Sequence, residues 1–146
     1  REAFPNCSLT TDIMVGFPGE TDEDFAQSME FIERMGFAKL HVFPYSIRRG
    51  TVAAERPDQI PPAVKTQRAR AAEALDRRLE ERFLSAQVGT VQSVLIEKPR
   101  TPEYSQGFTA GYTPVRIYGR ELPRHTLVNV RITGCRDGYC TGVPAE

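Results

Sequence analysis

Thr10-Thr11-Asp12-Ile13-Met14-Val15-Gly16-Phe17-Pro18-Gly19-Glu20-Thr21 decides the reading of this 146-residue chain. Leu9 to Phe17 is largely apolar with its polar residues at the start, the pattern of a strand buried on both faces in a parallel sheet. The Gly-Phe-Pro-Gly turn leads directly into a helix start. Such a turn leaves backbone amides and a helix N-terminus at the carboxyl end of a strand, where α/β proteins bind cofactors.

Working outward, Thr21 is an N-cap, and Asp22, Glu23 and Asp24 oppose the positive helix end in the first turn. Phe25, Met29, Ile32 and Met35 follow at helical spacing, and Gly36 supplies the stop. Lys39 to Tyr45 is the next strand. A strand, crossover helix and strand of this length predict a βαβ unit. Pro57, Pro61 and Pro62 mark a loop that ends it. From Ala63 to Phe83 the composition predicts a long amphipathic helix with Val64, Ala71, Leu75, Leu79 and Phe83 on one side and a solvated Arg-rich face. After Gly89 the character changes. Thr90–Glu97, Gln106–Ala110, Pro114–Ile117, Thr126–Thr133 and Gly138–Val143 are short β-branched runs separated by glycine and proline, which predicts a small antiparallel barrel of five strands.

Composition bounds the function. Hydrophobic residues make up 40% of the chain, enough for real cores, and no apolar run is long enough to span a membrane. Lys plus Arg and Asp plus Glu are balanced at 19 each, so total charge does not point to a polyanionic partner. The part from Ala86 onward is more basic than the rest, with seven basic against five acidic side chains. Cys7, Cys135 and Cys140 have no metal-ligand spacing and read as small hydrophobes in a reducing cytoplasm. The start at Arg1, within what reads as the tail of a helix, leads us to expect a piece of a longer protein.

Asp12 to Thr21, with Asp24-Phe25 after it, resembles the Asp-apolar-apolar-Val-Gly-Phe-Pro-Gly-Glu-Thr signature of the radical-SAM methylthiotransferases. His41-Val42-Phe43-Pro44-Tyr45-Ser46, then Arg48 and Gly50-Thr51, resembles that family's next strand and loop. The terminal barrel stands where the family carries its RNA-binding TRAM domain. The resemblance implies an α/β plus all-β chain: a βαβ remnant of a TIM-like radical-SAM barrel over 1–56, a linking helix over 57–85, and a five-stranded TRAM β-barrel over 86–146. Arg48 stands where tRNA-directed members carry Arg. His41 to Pro44 and Gly107 to Thr113 look most like the branch acting on threonylcarbamoyladenosine at tRNA position 37, with the isopentenyladenosine branch as the close alternative.

Such enzymes use S-adenosylmethionine and two [4Fe-4S] clusters held by cysteine sets that this chain does not contain. We therefore expect it to hold no cluster and to be inactive alone, with no catalytic residue and no metal ligand of its own. The resemblance places Gly16, Phe17, Pro18, Gly19, Glu20, Tyr45, Ser46 and Arg48 at a cofactor-facing rim; for the glycines, a turn that needs their dihedrals is the competing reading. Lys98, Arg100, Arg116, Arg120, Arg124 and Arg131, interleaved with Tyr104, Phe108, Tyr112 and Tyr118, are the candidate RNA contacts. tRNA is the expected partner, and no membrane is. A lone βαβ unit exposes sheet faces and edges, which predicts self-association through the N-terminal half. A non-enzymatic RNA-binding module is the reading from another class.

Overall fold

A computed structural model describes residues 7–97 and 103–145. They form two compact units, Leu9–Leu79 and a second from Glu80 onward.

In the first unit, β1 (Thr10–Val15) and β2 (Lys39–Pro44) pair in parallel, Ile13 opposite Val42 and Met14 opposite Phe43. Between them, α1 (Asp22–Met35) is fixed at both ends. Thr21 and Asp24 form a reciprocal capping box, with the Asp24 amide donating to Thr21 Oγ1 at 3.0 Å and the Thr21 amide donating to Asp24 Oδ2 at 3.0 Å. Gly36 closes the other end in the left-handed region at φ 62°, a conformation a Cβ disfavours.

The capping box has a pH signature. Hydrogen bonds from the Thr21 backbone and then its hydroxyl hold the Asp24 carboxyl below its ordinary 3.8. A lowered folded value means that the stabilisation is complete above the ordinary value and is lost as pH falls through the folded one. The helix-stability difference between the wild type and Asp24→Asn, followed by circular dichroism, should shrink as pH falls through that window. A pH-independent difference contradicts it.

A short α2 (Val52–Glu55) precedes α3 (Pro62–Ser85). The long helix does not serve only as a connector. Ala69, Ala72, Leu75 and Leu79 are buried, and these positions fall on one helical face. Leu75 and Leu79 pack with Ile32 and Leu40, while Ala69 and Ala72 pack with Val15. Ala71, expected on the apolar stripe, is exposed, and its neighbour Ala72 takes the buried position. Asp76 ties this helix to β2, accepting from the Leu40 amide at 2.7 Å and pairing with Lys39 Nζ at 3.0 Å.

Both helices cover the same side of the two-stranded sheet, where Ile13, Val15, Leu40 and Val42 point. Met14 and Phe43 on the opposite side are half exposed. The expectation of a strand buried on both faces is thus corrected to burial on one. An apolar run states that a strand is hydrophobic but not what covers each face.

The second unit is a closed barrel of β3 (Val91–Ile96), β4 (Tyr104–Thr109), β5 (Pro114–Tyr118), β6 (Leu127–Arg136) and β7 (Tyr139–Pro144), in the order β3-β4-β5-β7-β6. Its core is Val94, Ile96, Val115, Ile117, Val130, Ile132 and Cys140, with Leu84 from the last turn of α3. The barrel is not wholly antiparallel as expected, because β5 and β7 pair in parallel, Val115 opposite Cys140. A closed ring with an odd number of strands cannot alternate direction all the way round, so at least one neighbouring pair must be parallel. The β6–β7 hairpin turns on Asp137 and Gly138 at φ 48° and 78°, the mirror-image two-residue turn that Asp-Gly favours.

Candidate functional site

The strand-exit turn and the barrel surface are two separate candidate sites. In the first, Phe17-Pro18-Gly19-Glu20 is a β-turn closed by the Glu20 amide donating to the Phe17 carbonyl at 2.9 Å. Proline in its second place and a glycine at φ 83° in its third make it type II. The Gly19 amide donates to the Asp58 carbonyl at 3.0 Å.

The space beside both glycines is filled by the chain's own side chains. A Cβ on Gly16 would meet Lys65, and one on Gly19 would meet the Arg56 guanidinium and Asp58. Glu20 is likewise committed: its carboxylate accepts from the Gly16 amide and pairs with Arg68 Nη1 at 2.8 Å. Arg68, only 5% exposed, also donates to the Glu20 carbonyl at 3.0 Å and to Asp22 Oδ1 at 2.7 Å. Burial opposes its charge, but its hydrogen bonds to Asp22 and Glu20 outweigh this and raise its pKa.

Tyr45 is buried beside this turn. Its ring meets Phe17 edge-on with centroids 5.3 Å apart. Lys65 Nζ lies 4.8 Å from the ring centre and donates to the Tyr45 carbonyl at 3.2 Å. The Tyr45 hydroxyl and Arg68 Nε are buried without a hydrogen-bond partner. Phe17, Ser46 and Arg48 are exposed, and Pro18 is buried. Sequence reasoning missed Arg68 and Lys65 because both sit among the charged positions of an amphipathic helix that read as its solvated face.

On the barrel, β-alternation turns Arg116 and Tyr118 outward while Val115 and Ile117 enter the core. The Arg116 guanidinium lies 3.7 Å from the Tyr139 ring centre and 4.8 Å from that of Tyr104. Tyr104 and Tyr118 stand opposite each other, rings 5.4 Å apart. Arg136 Nε donates to the Tyr139 hydroxyl at 3.0 Å, and this bond is the main cause lowering the Tyr139 pKa.

This Arg-Tyr face includes one candidate contact, Arg116, and adds Tyr139. Arg131 lies instead on β6, where it faces Val91 of β3 and donates to the Gly89 carbonyl at 3.4 Å. Arg120 and Arg124 are exposed in the β5–β6 connection. Tyr112 is 83% exposed at a left-handed turn position, its ring 6.3 Å from that of Phe108. Lys98 and Arg100 lie outside the described residues. Among the described residues no group of three or more His, Cys, Asp and Glu side chains is placed to hold a metal ion, and no helix is long and apolar enough to cross a membrane.

Comparison with known proteins covers nearly the whole chain. Over 98% of its length the chain is 37% identical to the tRNA-2-methylthio-N(6)-dimethylallyladenosine synthase of Pelotomaculum thermopropionicum. It is 39% identical over 91% of its length to the protein of that name from Agrobacterium fabrum, and 41% identical over 94% to that from Acidothermus cellulolyticus. It spans 32%, 30% and 26% of those relatives. The chain spans about a third or less of the curated relatives it matches. No family model matches it. These names correspond to the isopentenyladenosine alternative and do not support the threonylcarbamoyl branch.

Proposed function

We propose that this chain is the C-terminal part of a radical-SAM tRNA methylthiotransferase that acts on N6-dimethylallyl (isopentenyl) adenosine. The observation that carries the reading is identity across nearly the whole chain, through both units, to synthases of that name. A bare sheet face fits a remnant of a (β/α) barrel, since the face opposite the helices is the barrel interior. Asp12, Met14, His41 and Phe43 would then line that interior. The closed five-stranded barrel fits the TRAM position.

In this reading 1–56 belongs to the catalytic barrel and 86–146 holds tRNA. S-adenosylmethionine would supply the radical and the methyl group, and the described residues offer no ligand set for an iron–sulfur cluster, so no step is assigned to one. Arg68 and Lys65 shape the strand-exit turn from behind. Phe17, Ser46 and Arg48 remain open for contact, and the unpartnered Tyr45 hydroxyl is a hydrogen-bonding group without a protein partner. Gly16, Pro18, Gly19 and Glu20 act by holding the turn's shape.

The test is reconstitution of the full-length protein with iron, sulfide and S-adenosylmethionine, followed by mass spectrometry of tRNA nucleosides. The 2-methylthio derivative of dimethylallyladenosine is expected. The threonylcarbamoyl derivative would move the assignment to the other branch, and no methylthio nucleoside would overturn both.

The tethering role has its own test. Exposed Arg120, Arg124 and Arg131 replaced together by Ala should weaken tRNA binding and flatten its salt dependence by roughly one unit of log–log slope for each phosphate no longer neutralised. Unchanged binding contradicts the role. The exposed Met14–Phe43 face also predicts self-association of the chain, and a monomer by light scattering at high concentration contradicts that.

A further inference from the structure

Cys135 and Cys140 face each other across the β6–β7 hairpin. Because the turn has two residues, its flanking pair Arg136 and Tyr139 is the hydrogen-bonded one. The next pair, Cys135 and Cys140, is then of the non-hydrogen-bonded kind, whose Cα atoms stand about 4.5 Å apart. That lies within the span of roughly 4.4–6.8 Å that a disulfide bridges.

Their direct pairing puts both side chains on one face of the sheet, and a β-bulge turns that face inward. Ile132 lies opposite Gly142 but Gly134 lies opposite Thr141, leaving Thr133 as the extra residue. Strict alternation would carry the inward set from Val130 and Ile132 to Gly134. The bulge passes it to Cys135, which packs against the core that contains Cys140. Cys140 is fully buried and Cys135 only partly, with its Sγ 3.6 Å from Ser85 Oγ. Burial, and then the adjacent Cys135, push the Cys140 thiol up to about 12. Cys140 therefore stays protonated at neutral pH, and Cys135 is the sulfur an oxidant reaches first.

We propose that Cys135 and Cys140 are a redox-active dithiol in which Cys135 is oxidised by a peroxide and Cys140 resolves the product into a cross-strand disulfide. The Cys135 thiolate attacks one peroxide oxygen, the O–O bond breaks, and the departing hydroxide takes a proton to become water, leaving a sulfenic acid. The Cys140 sulfur then attacks the Cys135 sulfur. The S–O bond breaks, the S–S bond forms, and the second hydroxide leaves as water with the Cys140 proton. Two thiols lose two electrons and two protons, and one peroxide becomes two waters. The bond closes one residue from Arg136 and Tyr139 and so ties down the hairpin that presents the Arg-Tyr face.

The test exposes the folded chain to hydrogen peroxide, then denatures it, alkylates free thiols and measures intact and peptide masses. Of the three cysteines, all should alkylate before oxidation and only Cys7 after it, with the Cys135–Cys140 peptide lighter by two hydrogens until reduced. Closure should accelerate as pH rises, because the resolving thiol must lose its proton. Cys135→Ser, a change at a partly exposed position, should keep Cys140 alkylatable after the same treatment. Full alkylation after oxidation, a sulfinic acid on Cys135 without a disulfide, or a Cys7-linked dimer as the main product would each overturn the proposal.

Discussion

Arg68→Ala should destabilise the first unit by about 3 kcal/mol, the lower end of what breaking a buried ion pair costs. Three groups lose Arg68 as a donor: the Glu20 carbonyl, the Glu20 carboxylate, which keeps the Gly16 amide, and the Asp22 carboxylate. They do not contribute equally. Asp22 is 99% exposed, and water replaces its missing partner, whereas Glu20 is 14% exposed and keeps a charge in a site that water reaches poorly. Asp22→Asn should therefore cost under about 1 kcal/mol. Glu20→Gln should recover part of the loss when combined with Arg68→Ala, because the double variant no longer strands a carboxylate. Urea unfolding of the single and double variants measures all of this. A cost for Arg68→Ala no larger than that of Asp22→Asn would show that the turn is not held from α3.

Ile132→Ala should cost the barrel about 3–4 kcal/mol, combining the transfer free energy of the deleted atoms with a cavity that a closed barrel cannot collapse around. Ile132 is 1% exposed and shares the core with Val94, Ile96, Val115, Ile117 and Val130. It is also the last inward residue of β6 before the bulge, so neighbours on its C-terminal side are constrained by the hairpin and cannot move to fill the hole. Leu127→Ala on the same strand is the contrast, since Leu127 is 71% exposed and should cost well under about 1 kcal/mol. Chemical unfolding of both variants distinguishes them. A small loss at Ile132 would mean that the barrel interior is fluid enough to repack.

Legibility followed the range of the interaction. The Thr21 N-cap, the Gly36 stop, the Pro18-Gly19 turn and the five strand segments rest on residues within a few positions of one another, and each appeared where those residues predict it, while the return bond from Asp24 that completes the capping box was not anticipated. Strands predicted at Thr90–Glu97 and Thr126–Thr133 form at Val91–Ile96 and Leu127–Arg136. The second runs longer because the bulge at Thr133 carries pairing past the point where simple alternation ends. Arg68 shows the opposite case. Its role depends on carboxylates 46 and 48 residues away in the chain, and nothing in the surrounding Ala-Arg-Glu composition separates it from the solvated arginines beside it.

The order of amino acids alone settled a βαβ part, a long helix and five strands, with boundaries to within a few residues, because caps, turns and hydrophobic period are written locally; the short α2 was not among them. Folding in three dimensions decided which sheet face is bare, that β5 meets β7 in parallel, which cationic side chains join the Tyr139 cluster, and that Cys135 turns inward beside Cys140. Each of these depends on which distant segments come together, and a one-residue shift of register or phase is invisible until a partner strand or helix is in place.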